Sequence, residues 1–331
     1  MVLKRTWLLI SFASLVPCAQ LATGAPLEPG GIVALPSVKG RIDHFGVDAK
    51  RRRLFVAALG NDSLEVVDLS ASRRERSLSG FGEPQGVLYV PEFDRVYVAN
   101  GSANRVDVLD GASLARVRSV GDLDDADNVR YDARARKVYV GYGQGALRVL
   151  DARTGEPAGD IRLAGHPESF QLEPDGARIF VNVPQARQVA VVDRSKGAVV
   201  ATWSVPGAQS NFPMALDGAG RRLFVGARAP ALVLVYDIDS GKVVATQPIG
   251  GDTDDLFFDA AGKRLYVVCG EGRIDILRQS DPDHYSLEST VSTAPRARTG
   301  LLVPEEGRLY VAAPASGTAP ARLLSYRLPR Q

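Results

Sequence analysis

The sequence predicts an all-β fold, a seven-bladed β-propeller with four antiparallel strands per blade, closed by an N-terminal strand that completes the last blade. Three observations predict it. A basic residue, a β-branched or leucine residue, an aromatic and a valine recur together seven times, and successive aromatics lie 42, 42, 41, 44, 42 and 44 residues apart. That is the period of a four-stranded propeller blade. The chain holds 33 glycines and 20 prolines among 331 residues, a composition suited to many short strands and turns. Finally, the seventh unit stops short of its fourth strand, and a matching segment stands at the other end of the chain.

Each unit divides in the same order. A short strand comes first, as in Gly86-Val87-Leu88-Tyr89-Val90, and a turn rich in Asp or Gly follows, such as Glu173-Pro174-Asp175-Gly176. The motif strand is next: Arg53-Leu54-Phe55-Val56, Arg95-Val96-Tyr97-Val98, Lys137-Val138-Tyr139-Val140, Arg178-Ile179-Phe180-Val181, Arg222-Leu223-Phe224-Val225, Arg264-Leu265-Tyr266-Val267 and Arg308-Leu309-Tyr310-Val311. Its aromatics are expected in the core, because a blade buries both faces against its neighbours. A third strand follows and usually ends in Asp, at Asp68, Asp110, Asp151, Asp193 and Asp237. Those carboxylates are placed to accept turn amides, which makes them structural. The fourth strand is typified by Val243-Val244-Ala245-Thr246. In the last unit Leu323 and Leu324 supply the third strand, while Ile32 to Gly40 aligns with the fourth-strand segment Val199 to Gly207. The N-terminal strand therefore closes the ring and removes an open sheet edge.

Residues 1–24 read as a secretory signal: Lys4 and Arg5, an apolar run from Trp7 to Val16 too short to span a bilayer, and small residues ending in Ala22-Thr23-Gly24. A lipoprotein anchor is the rival, but Pro17 stands where a small residue is wanted before Cys18. Residues 25–31 read as a linker and 32–328 as the propeller. The expected product is a monomeric periplasmic or secreted protein with no transmembrane segment. The 40 basic and 38 acidic residues give a net charge of +2, without the basic stripe that nucleic-acid binding requires. Cys269, in an apolar run, is expected to be buried and inert.

Tyr97-Val98-Ala99-Asn100, Val106-Asp107-Val108-Leu109-Asp110 and Ser240-Gly241-Lys242-Val243-Val244-Ala245-Thr246 resemble the YVTN-type seven-bladed β-propeller repeat family, whose exported members are YncE-like. The resemblance covers residues 31–328. It implies fold and export more strongly than activity, since the fold hosts binding modules, lactonases, lyases and oxidoreductases. Arg278 departs from the pattern where unit six should carry Asp, and the turns at Asp281-Pro282-Asp283-His284 and Ser316-Gly317-Thr318-Ala319-Pro320 are longer.

Functional groups of a propeller gather at one mouth of its channel. The lead-in positions, eleven or twelve residues before each motif aromatic, are Asp43-His44, Gln85-Gly86, Asp127-Asn128, Glu168-Ser169, Phe212-Pro213, Asp254-Asp255 and Arg298-Thr299. One reading makes them a site: Asp127, Glu168 and Asp254 as oxygen ligands for a divalent cation such as calcium, His44 as general base, and Asp43, Gln85, Asn128, Asp255, Arg298 and Thr299 as ligand contacts. The other reading makes them loop caps that solvate the mouth. Neighbours such as Asp254 and Asp255 point opposite ways on a strand, so one of each pair is expected to face the channel. Arg105, Arg187, Arg228, Arg273, Arg296 and Arg298 are expected around the rim, where they suit an anionic or zwitterionic small molecule. No Walker A loop, G-x-S-x-G elbow, H-E-x-x-H run or C-x-x-C-H occurs. The expected function is a binding module for a small molecule or an envelope protein. The alternative is a metal-assisted, lactonase-like hydrolase or lyase.

Overall fold

The computed structural model describes residues 27–329. The secretory address read over residues 1–24 lies outside the described residues. The described chain forms seven four-stranded antiparallel sheets. Blade one comprises Phe45–Asp48, Arg53–Ala58, Ser63–Asp68 and Arg73–Ser79, from channel to rim, and the next five blades repeat this order along the chain. Blade seven takes Gly300–Val303, Arg308–Ala313 and Arg322–Arg327 from the C-terminal end and Glu28–Ala34 from the N-terminal end. Ile32 pairs with Leu324, Val33 with Leu323 and Ala34 with Arg322. The closing strand starts at Glu28, inside the segment read as a linker, and Leu27 before it is already buried against blades six and seven. Pro29-Gly30-Gly31 concealed this start: the residues are poor strand formers, and the pairing register shifts between Pro29 and Gly31.

The motif strand is buried on both faces, as in Arg95–Asn100, where only the leading arginine stays partly exposed. Its basic residue lies opposite the terminal Asp of the third strand: Arg53 opposite Asp68, Arg95 opposite Asp110, Lys137 opposite Asp151, Arg178 opposite Asp193 and Arg222 opposite Asp237. The facing groups form an ion pair at Arg95–Asp110, Lys137–Asp151 and Arg222–Asp237, whereas Arg53 turns to Glu75 and Arg178 to Glu173. The same Asp residues accept turn amides, as at Asp68 Oδ1 (Ser70 N 2.8 Å, Ala71 N 3.0 Å) and Asp151 Oδ1 (Arg153 N 3.0 Å, Thr154 N 2.9 Å). Blade six resembles blade one in using an outer-strand glutamate. There Arg264 faces Arg278, and Glu288 on the outer strand takes over, 2.6 Å from Arg264 Nε. The Asp turn of that blade has moved to Asp281, which accepts the Asp283 amide at 2.9 Å.

The buried apolar residues form seven clusters. Each spans one blade–blade junction, so the count equals the number of junctions in a closed ring. The cluster of Val33, Leu35, Phe45, Leu54, Val303 and Tyr310 seals blade seven to blade one. Phe55, Tyr97, Phe180, Phe224 and Tyr266 are fully buried, as the repeat predicts. Cys269 is buried too, and burial pushes its thiol up to about 12.

Deleting residues 28–34 is expected to lower the melting midpoint and broaden the transition, because the 322–327 strand becomes an open edge and one junction loses its outer layer. Thermal denaturation followed by circular dichroism checks this. An unchanged midpoint and cooperativity would show that the strand is dispensable.

Candidate functional site

The lead-in residues are fixed by backbone bonds that carry each ladder past its inner strand. Asp43 N donates to Ala57 O (2.7 Å) and Ala57 N to His44 O (3.1 Å). Asp127 N donates to Gly141 O (2.9 Å) and Gly141 N to Asn128 O (2.9 Å), while Glu168 N donates to Asn182 O (3.0 Å). Blades also bond to each other here, through His44 N to Gln85 O (3.2 Å), Ser169 N to Phe212 O (3.3 Å) and Asp255 N to Arg298 O (3.1 Å). The approach is close at Gly86, where a Cβ would fall against the Asp127 carbonyl oxygen.

His44 stands at the centre. Its Nδ1 is 3.3 Å from Asp255 Oδ2, and its Nε2 is 3.7 Å from Asp43 Oδ1 and 3.5 Å from Asn128 Nδ2. Burial acts to lower the imidazole pKa, but the Asp255 and Asp43 carboxylates outweigh it and hold it near about 10. At neutral pH His44 is therefore an imidazolium. In that charged form both ring nitrogens carry protons, and the ring offers a fixed charge and N–H donors to the mouth.

Asp254 faces away from His44 into a cage of three arginines: Arg228 Nη2 at 2.6 Å, Arg298 Nε at 3.0 Å and Arg41 Nη2 at 3.6 Å. Arg298 also holds Asp252 (2.8 Å), and the Arg228 guanidinium stacks 4.1 Å from the Phe212 ring centroid. Asp255 lines the channel cavity, bonds His44 and accepts the Gly300 amide at 2.9 Å. Both carboxylates thus join the cluster from opposite sides. A bulge between Thr253 and Asp255 permits this by breaking the simple alternation.

Asp127 and Glu168 are different. Neither carboxyl has a hydrogen-bond or ion-pair partner among the described residues, and Asp127 is only 6% exposed. Burial first, and the Glu168 charge second, push Asp127 up to about 7; burial and Asp254 push Glu168 up to about 7. Around them, both Asp43 oxygens, Asn128 Oδ1 and Asp254 Oδ2 are buried without an aligned hydrogen-bond donor. Arg41 does approach Asp43 Oδ2 at 2.8 Å.

The structure therefore brings Asp43, His44, Asp127, Asn128, Glu168, Asp254, Asp255 and Arg298 together. Gln85 is spent on a loop tie, donating to Asp125 Oδ1 at 2.9 Å. Thr299 is 1% exposed and donates to Ile42 O at 3.2 Å, which ties blade seven to blade one. Of the rim arginines, Arg105 and Arg273 turn back onto the buried Asp107 and Asp275 of their own strands, and only Arg228 and Arg298 reach the cluster. His166 Nδ1 lies 2.7 Å from Gly143 O. Arg41 escaped sequence reading, although it sits two residues before Asp43, the spacing that returns a strand to the same side. Among the described residues, no three His, Cys, Asp or Glu side chains are arranged to hold a metal ion. No described helix is long and apolar enough to cross a membrane.

No family model and no curated protein sequence matches the chain. Solved structures do. The chain is similar to one in "Crystal Structure of Mitotic Checkpoint Complex", with a TM-score of 0.79 and 14% identity over 97% of this chain and 99% of that one. It is also similar to a chain of Kuenenia stuttgartiensis hydrazine synthase, with a TM-score of 0.71 and 18% identity over 83% of this chain and 94% of that one. At such identities the likeness establishes the fold, a seven-bladed β-propeller.

Asp127 holds a proton in the folded chain between the ordinary 3.8 and about 7, where the unfolded chain has lost it. Its ionisation therefore weakens folding as pH rises through that window. Asp127→Asn is expected to raise stability at pH 8, on the order of 2 kcal/mol, and to change it little at pH 4. Urea denaturation at the two pH values checks the sign; equal effects would contradict it.

Proposed function

We propose that this chain is an exported, YncE-like member of the YVTN-type propellers that binds a small ligand at the mouth of its channel. The repeat residues at Tyr97–Asn100 and Ser240–Thr246 support the family reading. One observation carries the site: Asp127 and Glu168 are mouth carboxyls without a hydrogen-bond or ion-pair partner among the described residues, and they stand beside the buried Asp43 carboxylate, which Arg41 approaches at one oxygen. Carboxyls set into the mouth without a protein cation suit a partner that brings N–H groups and positive charge. The ligand class is an ammonium-bearing small molecule or the amino terminus of an envelope peptide. His44 and Asp254 hold the frame, because their charges are met within the protein.

The same two carboxyls favour a second reading. They are hard oxygen donors of the kind calcium takes, and a bound cation would polarise a carbonyl for lactone hydrolysis. The proposal prefers the amine because the remaining acids, Asp254 and Asp255, are already engaged by arginines and His44.

Calorimetric titration with putrescine and lysine, alongside calcium, separates the two. The expected result is saturable amine binding that weakens by about tenfold or more in Asp127→Asn and Glu168→Gln, the loss of a charged hydrogen bond. Binding should also weaken below pH 7, where protonation removes both negative charges. Stoichiometric calcium with lactone turnover, both lost in Asp127→Ala, would select the second reading. A folded protein that binds neither amine nor metal would sink the mouth as a site.

A further inference from the structure

The channel contains a cavity of about 330 Å³. At roughly 30 Å³ per water molecule it holds about ten waters, enough for a carboxylate with one ring or a short branched chain. Its wall is built from one register position, the inner-strand residue opposite each motif aromatic. That position is Gly46 in blade one, Leu88 in two, Arg130 in three, Gln171 in four, Phe257 in six and Leu301 in seven.

Arg130 does not fit a structural role. Its Nη1 donates to the carbonyl of its neighbour Val129 at 2.9 Å, and its Nη2 reaches Ser169 Oγ only at 3.5 Å. The guanidinium lies 5.6 Å from the Phe170 ring centroid. Among the described residues no carboxylate stands within ion-pair distance, in contrast to Arg228 and Arg298 at the mouth, although Asp255 and Asp127 act on Arg130 from further off. Burial acts against its charge, yet a guanidinium does not deprotonate in a protein, so the positive charge persists. The other charged groups on the cavity wall, His44 and Asp255, are 3.3 Å apart and offset each other. The wall is left with one uncompensated cation beside Leu88, Phe257 and Leu301.

We propose that the central channel is a second ligand site, which takes a compact monocarboxylate with its carboxylate on Arg130 and its apolar body against Leu88, Phe257 and Leu301. A planar guanidinium matches a carboxylate with two parallel hydrogen bonds. One cation selects a monoanion over a dianion, and the apolar wall selects a body that sheds water. The site shares no contact residue with the proposed amine site, so Arg130 variants test it separately, although Asp127 acts on Arg130 through space.

The experiment uses the chain without its first 24 residues and three probes: benzoate, benzyl alcohol and inorganic phosphate. Titration is followed by calorimetry and by methyl-detected NMR. The expected result is saturable benzoate binding, with benzyl alcohol and phosphate each weaker by about tenfold or more. Arg130→Gln should weaken benzoate to the level of benzyl alcohol, and Arg130→Lys should retain part of the binding. Should both variants fail to fold, the wild-type protein decides: benzoate ring protons should show Overhauser contacts to the Leu88 and Leu301 methyls. Undiminished binding in a folded Arg130→Gln variant would overturn the proposal, as would phosphate binding more tightly than benzoate, ring contacts elsewhere, or no saturable binding of benzoate.

Discussion

A propeller blade is a four-stranded sheet with two apolar faces, and it cannot bury either face alone. The whole molecule therefore depends on ring closure, and closure rests on the hydrogen-bonded pairing of Glu28–Ala34 with Arg322–Arg327. The seven apolar clusters show the consequence, since each belongs to a junction between blades and none belongs to a blade by itself. In a repeat array of this kind stability passes from neighbour to neighbour, and an open end would expose one face and one edge. Joining the two chain ends in one sheet also fixes the spacing of every inner strand. That is how lead-in residues as distant in sequence as His44 and Asp255 come within 3.3 Å.

The acids inside the ring are of two kinds, and the contrast defines the site. Glu65, Asp107 and Asp275 recur at one position of the third strand and are fully supported. Glu65 accepts from Ser63 (2.6 Å), Ser77 (2.7 Å) and Arg74 (3.0 Å), while Asp275 accepts from Gly250 N (2.7 Å) and Thr290 (3.0 Å). Such groups satisfy their lone pairs inside the blade and leave nothing for a ligand. Asp127 and Glu168 have no such support, and their pKa values rise accordingly to about 7. Arg130 is the cationic counterpart, a guanidinium in the channel with no carboxylate to meet it. Unmatched charge of both signs thus lies along one axis of the molecule, where the fold places its opening.

The structural charges in the rim and turns follow a different rule, set by strand register. The ladder puts the basic residue that opens the motif strand beside the Asp that closes the third strand, and the two form an ion pair in blades two, three and five. Where blade six loses the Asp, a glutamate from the outer strand supplies the missing charge. The leading basic residue thus meets a carboxylate from the third strand in some blades and from another strand or turn in others.

Period and pattern alone determined the seven blades, the strand order within each, the buried aromatics, the turn-capping Asp residues and the closing N-terminal strand. These are local features, repeated until chance is excluded. The lead-in register also located the mouth, and it singled out Asp127, Glu168, His44 and Asp254 by residue type. Only the tertiary structure decided which of them are free. Asp254 proved to be caged by Arg41, Arg228 and Arg298, Thr299 to be a buried tie, and His44 to be held between Asp43 and Asp255, while Asp127, Glu168 and Arg130 have no ion-pair partner among the described residues. The reason is physical. Whether a charge is satisfied depends on side chains from other blades, and those distances are set by closure of the ring rather than by any stretch of sequence.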